Sequence, residues 1–237
     1  MIPAEVYASF LAGYNQAVFP IHALFYALGI GAVLLVFVKP GRLADAVAKA
    51  VLAVFWAWLG VVYFWTHYGS INSAGYTWGV IFVLQAVLFA VEIPFAEERV
   101  IWSPRIFKWE PFKIILGGIQ FRPFKQPALG HIGAAVAGWA FIGYPVSALL
   151  LHRAWPELAL FGAATPVVIY TLGLLLFTFH DVPKWRAAFF PFLWSLVGGL
   201  GAATEWRYYE DYALFIAGIV FLGYWIWANN KYKAHKK

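Results

Sequence analysis

The sequence contains no cysteine. That excludes disulfides, thiolate metal sites and cysteine nucleophiles. Charge is scarce as well: 12% of the 237 residues are charged, about half the share of an ordinary soluble domain. Catalytic signatures are missing. There is no phosphate-binding glycine loop, no His-Glu-x-x-His and no Gly-x-Ser-x-Gly. Ser195 sits in Trp194-Ser195-Leu196-Val197-Gly198 without a base nearby in sequence, so its hydroxyl is expected to return to the backbone one turn earlier. The last apolar stretch holds no lysine, which excludes a retinal Schiff base there. The start, Met1-Ile2-Pro3-Ala4-Glu5, lacks the positive region of a signal peptide, so the first apolar segment is expected to be retained.

What is present is apolar. Hydrophobic residues make up 63% of the chain and mean hydropathy is +0.72. A soluble fold of this length has too little interior for that much apolar surface. The reading is an all-α polytopic membrane protein, a seven-transmembrane-helix bundle forming one domain over 1–237. Spans are predicted at 17–38, 46–66, 77–96, 128–151, 158–179, 187–204 and 213–228, each near the length a bilayer core demands. A short helix over 3–16, with Val6, Phe10 and Gly13 at helical spacing, is expected to lie in the interface.

Seven spans place 15 of the 17 Lys and Arg residues on one side, leaving Arg153 and Arg207 on the other. The positive-inside rule then puts the N-terminus outside and the C-terminus in the cytoplasm. The 97–127 segment interleaves Arg99, Arg105, Lys108, Lys113, Arg122 and Lys125 with aromatic residues, and four prolines forbid one continuous helix. In this setting it reads as a cytoplasmic loop on anionic headgroups rather than a nucleic-acid surface. The glycines Gly29, Gly133, Gly138, Gly143 and Gly198 are expected to let helices approach closely.

Polar groups inside the spans are the candidates for function, because a bilayer makes them costly. Gln85 and Glu92 are seven residues apart on one face of the third span, and with Asn72 they form a polar track. Glu92 could also pair with Lys49 or Arg99 and be structural. Asn15 and His22 are seven apart and share a face if the helix begins early. Pro166 is expected to interrupt the fifth span and free a carbonyl near Gly162, with Thr165 and Thr171 as groups that could repair the break. A broken helix facing polar groups is a transporter's way of building a site. His22, His67 and His152 gather on the outer side as possible cofactor or metal ligands. A haem would need two imidazoles at similar depth, such as His22 or His67 with His152, or His131 with His180 inside.

Three function classes remain open. One is a small-solute transporter or channel lined by Asn15, Asn72, Gln85, Glu92, Thr165, Pro166 and Thr171. Another is an accessory subunit of a larger membrane complex, binding haem, quinone or pigment. The third is a membrane-embedded enzyme with a His/Glu site at the outer face, built from His22, His67 and Glu205 or Glu157. The expected partners are the lipid bilayer, other membrane subunits or a second copy, and no nucleic acid.

Several short motifs occur in a fixed order. They are Tyr14-Asn15 with Phe19-Pro20, Trp56-x-Trp58-x-Gly60-Val61-x-Tyr63, and Ile71-Asn72-Ser73-Ala74. Phe161-Gly162-x-x-Thr165-Pro166, running on to Thr171-Leu172-Gly173-Leu174-Leu175-Leu176, and Pro191-x-Leu193-Trp194-Ser195 with Gly198-Gly199 complete the set. In this the chain resembles an uncharacterised family of bacterial multi-pass membrane proteins, domain of unknown function 6064, over nearly its whole length. The resemblance implies a protein of the bacterial cytoplasmic membrane and supplies no activity. Relatives often carry Cys-Pro just after the Thr-Pro. Val167-Val168 stand there in this chain, which argues against a thiol-based metal role.

Overall fold

A computed structural model describes residues 3–38, 41–96, 127–178, 185–205 and 207–235. Among them every regular element is helical, and there are eight helices. They are α1 (Ala4–Val18), α2 (Ile21–Val38), α3 (Arg42–Ser70), α4 (Ala74–Glu92), α5 (Pro127–Gly138, continuing to Leu150), α6 (Ala164–Thr178), α7 (Trp185–Glu205) and α8 (Tyr212–His235). Two of these carry a wide π-helical stretch, Leu59–His67 in α3 and Trp139–Gly143 in α5. The predicted 97–127 loop lies outside the described residues, apart from Pro127, as does His180.

Five helices, α2, α3, α4, α5 and α8, are long and apolar enough to cross a membrane. Their outward faces fit the class. Leu24, Ile30 and Leu34 on α2, Val80, Leu84 and Val91 on α4, and Ile216 and Ile219 on α8 are all exposed. Rows of bare aliphatic side chains on several helices suit lipid rather than water. This is the pattern of a multi-pass membrane protein.

The predicted fifth span, 158–179, is shortened in the structure. Residues 158–163 form a non-helical connector, and α6 begins at Ala164. Pro166 therefore stands in the first helical turn, where a missing N–H breaks no bond, and it does not interrupt a helix. At 15 residues α6 is about 22 Å long at 1.5 Å per residue. It needs no lipid-facing side. Val167, Val168, Ile169, Tyr170, Leu172, Leu174, Leu175 and Leu176 are all buried, and α3, α5, α7 and α8 pack around it. A helix apolar on every side is a core helix.

Close approach fixes the neighbours. A Cβ on Gly173 would stand 2.5 Å from the Ala137 amide nitrogen and 2.9 Å from the Gly133 carbonyl, so α5 and α6 touch backbone to backbone. Gly29 lies against Phe141 and Phe161, as its expected packing role requires, whereas Gly138 faces open space. Ser195 donates to the Phe192 carbonyl at 2.6 Å, the backbone return anticipated for it.

Thr171 is a node between helices. It donates to the Val167 carbonyl at 2.8 Å and accepts the Trp56 indole N–H at 3.0 Å. Both residues are fully buried. Thr171→Val keeps the volume and orphans the indole, so it should cost about 1–2 kcal/mol of stability. Thermal unfolding in detergent measures this, and an unchanged midpoint contradicts it.

Candidate functional site

Among the described residues, half of the buried polar side chains collect at one end of the bundle, beneath α1: Asn15, His22, Thr165, Glu210 and Asp211. The sequence of α1 explains its place. Tyr7, Phe10, Leu11, Tyr14, Asn15 and Val18 recur at helical spacing and form its buried face. That face lies on the π-helical end of α3 and on the turn before α8. Phe10 meets Tyr63 and Tyr68 edge-on at 5.2 and 5.4 Å, and Tyr7 meets Tyr208 at 4.8 Å. The Tyr7 and Tyr63 hydroxyls are 3.4 Å apart.

The connector after α5 is pinned by three side chains. Tyr14 donates to the Gly162 carbonyl at 2.6 Å and accepts the Trp58 indole N–H at 2.9 Å. Asn15 donates both amide hydrogens, to the Pro156 and Leu158 carbonyls at 2.6 and 2.7 Å. His22 Nδ1 lies 3.2 Å from the Phe161 carbonyl. A carbonyl only accepts, so Nδ1 carries the proton and Nε2 of the neutral ring is an acceptor. His22 Nε2 and Asn15 Oδ1 are both buried and have no hydrogen-bond partner among the described residues. Gly162 makes room for the imidazole. Its φ is +122°, and a Cβ there would stand 3.1 Å from His22 Nδ1.

Two acids lie at the same end. Glu210 and Asp211, in the turn before α8, are 4% and 1% exposed, a rare state for carboxyl groups. Tyr144 from the last part of α5 donates its hydroxyl to Asp211 Oδ1. Thr165 at the start of α6 sits beside the same carboxyl, and Tyr7 and Tyr63 are close enough to feel its charge. Arg153 faces Glu210 Oε1 with its Nε at 3.4 Å, gives Nη2 to the Arg207 carbonyl at 2.8 Å, and lays its guanidinium 3.5 Å over the Tyr208 ring. Burial pushes the Tyr208 phenol up to about 12 against the pull of Arg153, so it stays neutral near pH 7. Glu210 Oε2 and Asp211 Oδ2 remain buried with no hydrogen-bond partner among the described residues. When both acids are ionised, the group carries one net negative charge.

The structure gathers Asn15, His22, His67 and Thr165 here. His67 and His22 both flank the Tyr14 ring, at 5.3 and 6.1 Å, so a tyrosine rather than open space lies near the two imidazoles. His67 Nδ1 is 2.9 Å from the Val62 carbonyl. His152 is exposed at the end of α5 with φ +63°. Asn72 is half-buried and bonds locally to Tyr68.

Gln85 and Glu92 are both buried on one face of α4, but Phe82 and Phe89 alternate with them there. Gln85 donates to the Ala187 carbonyl at 3.4 Å, and its Oε1 has no partner among the described residues. Glu92 pairs with Arg186 at 3.2 Å, which is neither of the cations anticipated for it, and Lys49 instead pairs with Asp45 at 2.8 Å.

Sequence reasoning passed over Arg153, Glu210 and Asp211 as site residues, along with Tyr7, Tyr63 and Tyr144. One signal was available: two consecutive acids set directly against an apolar helix. Among the described residues no cluster of three or more His, Cys, Asp or Glu side chains could hold a metal ion. Comparison with known proteins adds kinship without chemistry. No curated protein and no solved structure matches the chain. One family model, described as a family of unknown function (DUF6064), matches residues 4–236.

Proposed function

Since the chain belongs to that family, whose members share a sequence pattern and no assigned activity, we propose a function from the site itself: a small-solute transporter or channel of the bacterial cytoplasmic membrane. The buried acid pair Glu210–Asp211 carries this reading. Burying carboxylates costs several kcal/mol each, and one guanidinium offsets only part of it. A pair of acids held under α1 at the end of an apolar bundle suits a protein that receives a solute or a coupling ion there.

In this reading α2 to α8 are seven spans of a single transmembrane domain and α1 lies in the outer interface. The site then faces outward and the C-terminus lies in the cytoplasm. Asn15 and Thr165 belong to the entrance. Asn72, before α4, and Gln85 and Glu92 on it mark the route, while Pro166 and Thr171 belong to the central helix α6. A reporter fused after Lys237 should be active only in the cytoplasm, and external activity would overturn the orientation.

Flux tests the assignment. Proteoliposomes are assayed with rubidium, methylammonium, acetate and glycerol, beside Asp211→Asn and Glu92→Gln. We expect at least one solute to move in the wild type and to slow by an order of magnitude or more in Asp211→Asn. Equal flux in that variant would remove the acid pair from the path, and equal flux in Glu92→Gln would remove Glu92.

A second reading rests on His22. Its Nε2 is buried, and Nδ1–H is fixed by a backbone carbonyl, the way a ligating imidazole is oriented. That suits a subunit that binds a cofactor, a quinone or a partner chain. A visible absorption band or a native mass above that of one chain, lost in His22→Leu, would favour it. A featureless spectrum with a monomeric mass would count against it.

A further inference from the structure

We propose that the turn Tyr208–Asp211 binds one monovalent hard cation, with sodium as the occupant, through the free oxygens of Glu210 and Asp211. The proposal rests on reading this end as the solute site, and it names what the site takes. Within four residues the turn buries four oxygens that have no hydrogen-bond partner among the described residues: Tyr208 Oη, Glu210 Oε1 and Oε2, and Asp211 Oδ2, of which Oε1 faces Arg153 Nε in an ion pair at 3.4 Å. Carboxylates at a helix start are ordinary where they cap its free N–H groups. Here neither Oε2 nor Oδ2 makes such a bond, and the N-cap of the turn has no side-chain hydrogen bond.

Neighbouring groups do not complete these oxygens. Tyr144 is spent on Asp211 Oδ1. Arg153 is held three ways, by Glu210 Oε1, by the Arg207 carbonyl and by the Tyr208 ring. With both acids ionised, two carboxylates against one guanidinium leave a single negative charge, which one monovalent ion neutralises and a divalent ion overshoots. The donor set is oxygen alone, and hard cations take oxygen ligands. Softer metals lack partners, because the chain has no cysteine and the described residues hold no three-residue ligand cluster. The other titratable groups around the turn are Tyr7, Tyr63 and Tyr144, together with Glu157 near Tyr208. None of them adds a positive charge, and Glu157, the one further acid, is exposed to solvent.

The experiment uses the full-length protein in detergent. Thermal unfolding is followed against sodium chloride, with choline chloride holding ionic strength constant. A ligand bound only by the folded state raises the midpoint saturably. We expect that rise with sodium, and its loss in both Asp211→Asn and Glu210→Gln. Equilibrium binding of radioactive sodium to the wild type should saturate at one ion per chain, a readout that does not depend on either variant folding. Sodium and choline acting alike, with no saturable sodium binding, would overturn the proposal, as would a sodium response that survives in both variants. A midpoint that responds to proton concentration but not to sodium would assign the charge to a proton and overturn it too. Failure here with Asp211-dependent flux leaves the transport reading standing. Sodium binding without any flux leaves the cation site standing and removes transport.

Discussion

Replacing Arg153 with methionine should destabilise the protein by about 3 kcal/mol, the lower part of the range for removing one partner of a buried ion pair. The variant keeps most of the side-chain length and deletes the positive charge. Glu210 and Asp211 then remain buried with no cation beside them, and the Arg207 carbonyl loses its donor. The lower end of the range applies because the Arg153 side chain is 21% exposed, so water softens part of the loss. Arg153→Lys separates charge from shape. Lysine restores a point charge but not the flat stacking on Tyr208, so its midpoint should fall between wild type and Arg153→Met. Thermal unfolding of the three proteins in one detergent provides the comparison. Equal midpoints for methionine and wild type would show that the acids do not need this arginine.

Gly162→Ala should have an effect of similar size or larger at the other half of the site, about 2–6 kcal/mol. Two costs combine there. A φ of +122° is one that a residue with a Cβ rarely adopts, and strain of that kind costs about 1–3 kcal/mol. The new methyl also presses on His22 Nδ1 from 3.1 Å, and overpacking costs about 1–3 kcal/mol more. Displacing His22 breaks its bond to Phe161, and moving Gly162 loosens the carbonyl that holds Tyr14. The variant should therefore lose stability and become more open to proteolysis around 156–162. A Gly162→Ala protein as stable and as protease-resistant as wild type would mean that the connector is not the fixed platform described above.

Much of this was legible in the sequence, for identifiable reasons. Composition alone required a membrane class, and apolar runs located the helices. The spacing of Val6, Phe10 and Gly13 marked a short helix over 3–16, although of those three only Phe10 lies on its buried face. Asn15, His22 and His67 were assigned to one end, and the structure brings them around Tyr14. Pro166 was misplaced because an apolar run shows where a segment is buried, not where its helix begins. Residues 158–163 are as apolar as α6 yet form a connector, secured by side chains from α1 and α2 that are distant in sequence. The acid site was harder to see for the same reason, since the acid pair itself was its one local signal. Arg153 and Glu210 are 57 positions apart, and only the packing of α5 against the start of α8 brings them together.

The wide stretch of α3 has a consequence for spelling as well as for shape. From Phe55 onward its inward residues come every fourth position: Phe55, Leu59, Tyr63 and His67 in one file, Trp56, Gly60, Phe64 and Tyr68 in the other. In a regular α-helix a step of four advances about 40° around the axis, so such files would wind away from α1 within a few steps. A π turn holds more residues than the usual 3.6, and the files stay aligned. The phase of this helix is thus written in a count of residues. Deleting Val61 alone would remove no group of the site, yet it would turn Tyr63 and His67 about 100° relative to Trp56.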